Sequence, residues 1–107
     1  MYDMQLNEYF ENSAGTLLKK NIYDTVCFNN LYSHLNIIVK SIHNDEFISR
    51  QLIKVILESA AAIENQASFV VTARDNIHMA DKLRYLLYII AINEHPEMRS
   101  AGVPRII

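Results

Sequence analysis

Apolar residues recur at helical spacing through the middle of the chain, between Phe47 and Ala73. This stretch has no glycine or proline, and residues 59–62 within it are all small. Its apolar stripe steps by four, three, four and three residues, as one buried face of an α-helix does. The members of the stripe are Ile56, Ala60, Ile63, Ala67 and Val70. Because small residues let neighbouring helices approach closely, the pattern predicts the central helix of a bundle over residues 46–73.

Two further stripes of the same kind lie on either side of the central one. The first comprises Phe28, Tyr32, Leu35, Val39 and Ile42, and the second comprises Met79, Leu83, Leu86 and Ile90. They predict long helices over residues 17–43 and 76–94. In the first of these, Asp24 and Thr25 leave a second possibility open, namely a fresh helix that begins after Lys20 and Asn21.

The two ends of the chain give weaker patterns. Residues 2–12 predict a short first helix, with Gly15 at a left-handed position after its end and Thr16 as the cap of the next helix. Asn44 or Asp45 is predicted to cap the central helix. Proline at position 96 ends the last helix, so residues 96–107 are expected to form an irregular tail.

The predicted fold class is therefore all-α, an antiparallel bundle of three long helices with a shorter N-terminal helix. Residues 1–107 are expected to form a single domain, since no linker or repeat divides them. Residues 68–73 and 85–92 are rich in β-branched and aromatic side chains, so each could instead be a buried strand. Helix is preferred because both segments keep the helical phase of longer stretches.

Composition adds a hint about partners. Half of the 107 residues are hydrophobic and 21% are charged, slightly below the share of about 25% that is typical of globular domains. One explanation is apolar surface covered by a protein partner or by a second copy of the chain, which predicts a homo-oligomer. The alternative is an ordinary monomer whose Asn, Ser and Gln residues supply surface polarity. The net charge of −2 gives no general footprint for nucleic acid.

Location and redox state follow from what the sequence contains. The N-terminal residues do not form a basic region followed by an apolar run, so no signal peptide is predicted. The longest apolar run, Tyr85–Ile92, has eight residues, whereas a membrane-spanning helix needs about 20. A cytoplasmic protein without membrane contact is therefore expected. Cys27 is the only cysteine, and its apolar neighbours are expected to raise its pKa.

The richest set of chemical groups lies near the start of the last predicted helix. Five residues step by four, three, four and three and would share the side turned away from the core: Arg74, His78, Asp81, Tyr85 and Tyr88. Three interpretations are open. The stripe is a solvated helix face, a protein-contact face anchored by Tyr and Arg, or a ligand site in which Arg74 and Tyr85 hold an anion while Asp81 orients His78.

Arg74 and His78, with the polar Asp75 between them, resemble the arginine–polar–xxx–histidine motif of HEPN-type ribonucleases, which are helical enzymes that cleave RNA without a metal. The spacing differs, since three residues separate Arg74 from His78 and the family motif has at least four. The resemblance implies a metal-independent HEPN-like ribonuclease as an alternative function.

A second candidate surface is polar but uncharged and lies on the helix predicted over residues 17–43. It consists of Asn29, Tyr32, Ser33 and Asn36. Uncharged amides lose their water at a lower free-energy cost than charged groups do, so such a face suits burial against a partner. No metal or other cofactor is predicted, because the His, Cys, Asp and Glu residues lack metal-ligand spacing and the chain lacks a glycine-rich phosphate loop.

The function expected from these observations is that of a small interaction or regulatory protein. It would bind a protein partner stoichiometrically, as inhibitors, immunity proteins and anti-defence proteins of bacteria or phages do. The alternative is a ligand-binding or nucleic-acid-binding site on the last helix, of the HEPN-like kind described above.

Overall fold

Every regular element is helical in the part of the chain that the computed structural model describes, namely residues 3–42 and 48–94, without the side chains of the last two. Six α-helices follow one another, with a π-helical turn inserted between the first two. They are α1 (Met4–Phe10), the π turn (Glu11–Gly15), α2 (Thr16–Lys20), α3 (Thr25–Lys40), α4 (Arg50–Gln66), α5 (Val71–Asp75) and α6 (Ile77–Glu94). The all-α prediction is confirmed for these residues, and α6 includes the segment 85–92.

The N-terminal segment, residues 4–20, is one continuous rod rather than a short helix followed by a break. Gly15 has φ −60° and ψ −45°, so the predicted left-handed end at this residue is wrong, and Thr16 continues the helix instead of capping one. The hydroxyl of Ser13 donates to the Tyr9 carbonyl at 2.7 Å. A side chain that occupies this carbonyl competes with the regular helical bond, and the helix widens into the π turn.

The predicted helix over residues 17–43 is divided in two, as the alternative of a fresh helix required. Asn21 lies in the left-handed region with φ 58° and ψ 33° and ends α2. Asparagine tolerates this conformation better than other residues with a Cβ atom. The Asp24 carboxylate then accepts a hydrogen bond from the Cys27 N–H at 3.0 Å and caps α3.

The central helix is shorter than the predicted 46–73. Ser49 caps the start of α4 by accepting from the Leu52 N–H at 3.3 Å; the predicted caps at residues 44 and 45 lie outside the described residues. The helix ends at Gln66, whose carbonyl accepts from the N–H groups of Phe69 and Val70 at 3.1 and 2.8 Å. Residues 68–73 therefore form a turn and the start of α5, and neither contains a strand.

The helices pack around a core in an order that differs from the predicted antiparallel bundle. The Asp3 backbone exchanges hydrogen bonds of 2.7 and 2.8 Å with the Gln51 side chain, so the N-terminal rod starts beside the start of α4. Because α2 also packs on α4, the rod and α4 run in the same direction. The rod also packs against α3, to which it is joined by a tight turn and runs antiparallel.

The most extensive helix contact joins α4 to α6. The short connection between them is folded back on itself, so α6 starts beside the end of α4 and returns along it. The α6 helix also packs on α3. Four rods therefore surround the core in the cyclic order N-terminal rod, α3, α6 and α4, and two of the four neighbouring pairs are parallel.

The core contains the residues that the apolar stripes predict. Phe28, Leu35 and Val39 of α3, like Leu83 and Leu86 of α6, have no exposed surface. Small residues complete the core where helices approach closely. These are Ser13, Ala14, Ser59, Ala60, Ala62, Ala73 and Ala80. Ser59 Oγ is buried without a hydrogen-bond partner among the described residues.

Candidate functional site

Arg74 lies apart from the other members of the predicted stripe. It belongs to α5, and Asn76, with φ −114° and ψ 26°, interrupts the helix before α6 begins. The Arg74 guanidinium donates to the carbonyls of Ala67 and Ser68 at 3.0 and 3.4 Å. These carbonyls follow the last turn of α4, so Arg74 stabilises the connection between α4 and α6.

The other four residues of the stripe share the outward face of α6. His78, Asp81, Tyr85 and Tyr88 are all exposed, and the two phenol rings are 57% and 58% exposed in whole-residue terms. The rings stack on each other, with their centroids 5.8 Å apart and their planes 28° apart. Stacking restricts the rotamers of both side chains, so the pair forms a preordered aromatic surface. Within the described residues no hydrogen bond joins His78 to Asp81.

A bidentate ion pair borders this surface on the side of α4. The Arg84 guanidinium donates to the two carboxylate oxygens of Glu64 at 2.9 and 2.7 Å. The hydrogen bond from Arg84 holds the pKa of Glu64 below its usual value of 4.5. The same bond raises the pKa of the Arg84 guanidinium above its usual value. Both charges of this pair are therefore compensated before any partner arrives.

The second predicted surface borders the same face of α6 on the side of α3. Asn29 and Ser33 are exposed, whereas Tyr32 and Asn36 are half-buried. The Lys82 ammonium lies over the Tyr32 ring, 4.3 Å from its centroid, which is a cation–π distance. This contact between α3 and α6 makes the two predicted surfaces neighbours. We call His78, Asp81, Tyr85 and Tyr88 the tyrosine face.

The Glu64–Arg84 pair gives a pH-dependent prediction. The folded pKa of Glu64 is lowered, so its contribution to stability is complete above the unfolded value near 4.5 and is lost as the pH falls through the folded pKa. Both side chains are over one third exposed, which limits the contribution to about 1 kcal/mol or less. We expect Glu64→Gln to lower the free energy of unfolding at pH 7 by that amount and the difference from wild type to vanish in acid.

Urea unfolding of both proteins at pH 7 and at steps below pH 4.5 measures this difference. Asp3 has a lowered pKa as well, mainly because it accepts the Leu6 N–H, but it is present in both proteins and cancels. Glu58→Gln is the matched control, since Glu58 is exposed on α4 and forms no ion pair in the described part of the chain. A Glu64 effect that is unchanged in acid would contradict the prediction.

The structure also shows a cleft that the sequence pattern does not predict. It lies between the N-terminal rod and α4 and has a volume of about 380 Å³. Its lining combines carboxylates, amides, a lysine and two apolar side chains, namely Asn7, Phe10, Glu11, Gln51, Lys54, Val55 and Glu58. These residues are distant in sequence, and only the parallel packing of the rod on α4 brings them together.

A group of exposed apolar side chains is the second feature that the sequence does not reveal. Six of them lie where the rod turns into α3 and where α4 connects to α6, which is one end of the bundle. They are Leu18, Ile22, Val26, Phe69, Val71 and Ile77. In the sequence they are indistinguishable from core residues, because their exposure results from turns that end the helical phase.

Two residues with potentially reactive groups are engaged inside the fold. Burial raises the pKa of the Cys27 thiol, and the nearby Asp24 carboxylate raises it further, as the sequence context predicts. Tyr23 stacks on Phe28 with ring centroids 4.4 Å apart, and burial raises the pKa of its phenol to about 12. Both groups are therefore held in their neutral forms at neutral pH.

Searches for a metal cluster, a membrane span and known relatives gave no matches. In the ranges 3–42 and 48–94, no three His, Cys, Asp or Glu side chains come together as a set that could hold a metal ion. No helix of these ranges combines the length and the apolarity that crossing a membrane requires. No protein-family model, curated protein or solved structure matches the chain.

Proposed function

We propose that this protein acts by stoichiometric binding to a protein partner through the tyrosine face of α6. The observation that carries the proposal is the stacked, exposed pair Tyr85 and Tyr88 on a regular helix. Tyrosine supplies a large contact area at a low entropy cost, and it is enriched among the residues that dominate binding free energy. A rigid helix presents both rings in a fixed geometry.

The charges around the tyrosine face support protein binding in particular. Glu64 and Arg84 neutralise each other on one flank, and Lys82 is held over the Tyr32 ring on the other. A partner therefore need not remove water from isolated charges at the centre of the contact. The polar rim beyond these flanks includes Asn29 and Asn36 of the second predicted surface.

In biological terms the proposal is an interaction or regulatory protein, of the kind that inhibits an enzyme or toxin, as immunity and anti-defence proteins of bacteria and phages do. Such proteins act by occupying a surface of their target and need no chemistry of their own. The tyrosine face and the small size of the chain are consistent with that role.

The test is capture of a partner with the immobilised full-length chain, followed by native mass spectrometry of the purified complex. We expect a complex of defined stoichiometry that is lost in the double variant Tyr85→Ser with Tyr88→Ser. The matched control is Phe69→Ser with Val71→Ser, which removes equally exposed apolar side chains at the end of the bundle. Equal loss in both double variants would contradict a role of the tyrosine face.

The alternative of an RNA-cleaving site makes the opposite prediction. Arg74 is engaged with the carbonyls of Ala67 and Ser68, and the proposal therefore gives it a structural role. Ribonuclease activity that disappears in Arg74→Ala with His78→Ala, while the partner complex remains intact, would overturn the proposed function.

A further inference from the structure

The outer side of the last turns of α6 is uncharged and exposed. Residues 85–92 contain no charged side chain. Leu86 and Ile90 serve the core, whereas Tyr85 and Tyr88 face outward and are more than half exposed. A helix that is apolar on all sides is normally buried on all sides. The packing within one chain covers one side of this segment and leaves the other side uncovered.

The outward residues of α6 are spaced symmetrically about Tyr85. Asp81 precedes it by four residues and Tyr88 follows it by three, while His78 and Ile92 lie seven residues before and after it. A two-fold axis that passes through Tyr85 therefore superimposes this stripe on itself when two copies of α6 run antiparallel. Such self-complementarity is what an isologous contact between identical chains requires.

The charges of the stripe also fit this arrangement. Asp81 is its only carboxylate. At 1.5 Å per residue, the two Asp81 side chains of an antiparallel pair lie about 12 Å apart along the axis, so they do not repel each other strongly. Each Asp81 instead lies level with Tyr88 of the other copy, whose hydroxyl can donate to the carboxylate. Lys82 and Arg84 are already held at the flanks by Tyr32 and Glu64.

We infer that α6 pairs with α6 of a second copy of this chain, antiparallel and around a two-fold axis at Tyr85. The pairing uses the tyrosine face and therefore rests on the proposed function, for which it names the first partner. Burial of the stacked rings from both copies supplies the apolar contact, and the exchanged Tyr88–Asp81 hydrogen bonds fix the register.

Cysteine cross-linking of the full-length chain tests both the pairing and its direction. Cys27→Ala provides a background without thiols. In it, Tyr85→Cys is expected to form a disulfide-linked dimer under mild oxidation. Asp81→Cys and Tyr88→Cys are expected to cross-link with each other when mixed, and much more slowly when each is alone. Glu58→Cys is the matched control, because Glu58 is equally exposed but lies on the side of α4 that faces the cleft.

We expect Tyr85→Cys to cross-link roughly tenfold or more faster than Glu58→Cys, since pairing raises the effective concentration of the second thiol. Equal rates for these two variants would overturn the inference. Faster cross-linking of Asp81→Cys alone than of its mixture with Tyr88→Cys would also overturn it, because a parallel pair behaves in that way. All variants lie on exposed positions, and unchanged circular dichroism confirms that they fold.

Mass in solution separates this inference from the proposed function. The wild-type chain is expected to be a dimer by light scattering, and Tyr85→Lys with Tyr88→Lys is expected to be a monomer. A monomeric wild type that still captures another protein through Tyr85 and Tyr88 would overturn the pairing and leave the proposed function intact. A dimer that persists in the double lysine variant would overturn the pairing through this face.

Discussion

Phe28→Ala is expected to lower the free energy of unfolding by about 3–5 kcal/mol, the range found for truncating a buried phenylalanine. The Phe28 side chain has no exposed surface, and its ring stacks almost parallel to that of Tyr23, at an interplanar angle of 7°. The substitution removes this stack and leaves a cavity at the turn between the rod and α3. A domain of this size has a total stability of roughly 5–15 kcal/mol, so much of it would be lost.

Urea unfolding followed by circular dichroism measures the loss. Val26→Ala is the matched control, because Val26 lies in the same first turn of α3 and is 66% exposed. Its truncation is expected to change stability by about 0.5 kcal/mol or less. A loss below about 1 kcal/mol in Phe28→Ala would show that Phe28 is not a core residue.

The second large effect is expected where α4 and α6 approach each other. Ala60 is fully buried and lies one turn before Glu64, on the side of α4 from which Glu64 reaches Arg84. A larger side chain at this position must separate the two helices or adopt a strained rotamer. We therefore expect Ala60→Leu to lower the free energy of unfolding by about 1–3 kcal/mol.

Ala61→Leu gives the comparison for this prediction, since the next residue along α4 is only half-buried. The same added volume can extend towards solvent there, and a change of about 0.5 kcal/mol or less is expected. Thermal or urea unfolding of both variants measures the difference. Equal losses would mean that helix propensity, rather than the approach of α6, decides the cost.

The core could be predicted from the sequence because burial follows periodicity. Ile56, Ala60 and Ile63 keep the helical rhythm of the central stripe, and all three have no exposed surface. The same rhythm placed Tyr85 and Tyr88 on the outward side of α6, where the structure has them. An apolar or polar choice at each position is enough information for this level of the fold.

The boundaries of the helices could not be predicted in the same way, because single hydrogen bonds decide them. The bond from the Ser13 hydroxyl to the Tyr9 carbonyl accompanies the π turn, and the left-handed backbone of Asn21 ends α2. In both places the apolar pattern is compatible with an uninterrupted helix. The guanidinium of Arg74 likewise has partners that only the folded connection provides.

The surroundings of the candidate site depend on contacts between distant segments. Lys82 and Arg84 looked like ordinary surface residues in the sequence, yet their partners, Tyr32 and Glu64, lie on two other helices. The compensation of charge around the tyrosine face is thus a tertiary property. No spacing rule along one helix could have indicated it.

The π turn changes which neighbour the N-terminal rod serves along its length. In an unbroken α-helix Leu6 and Leu17 would share one face, because eleven residues make almost three full turns. The wider turn between them acts as one additional residue and rotates the second half by about 100° relative to the first. As a result α1 packs mainly on α3 whereas α2 packs on α4, and both leucines are buried. One rod thereby joins two neighbours that a straight helix would have to choose between.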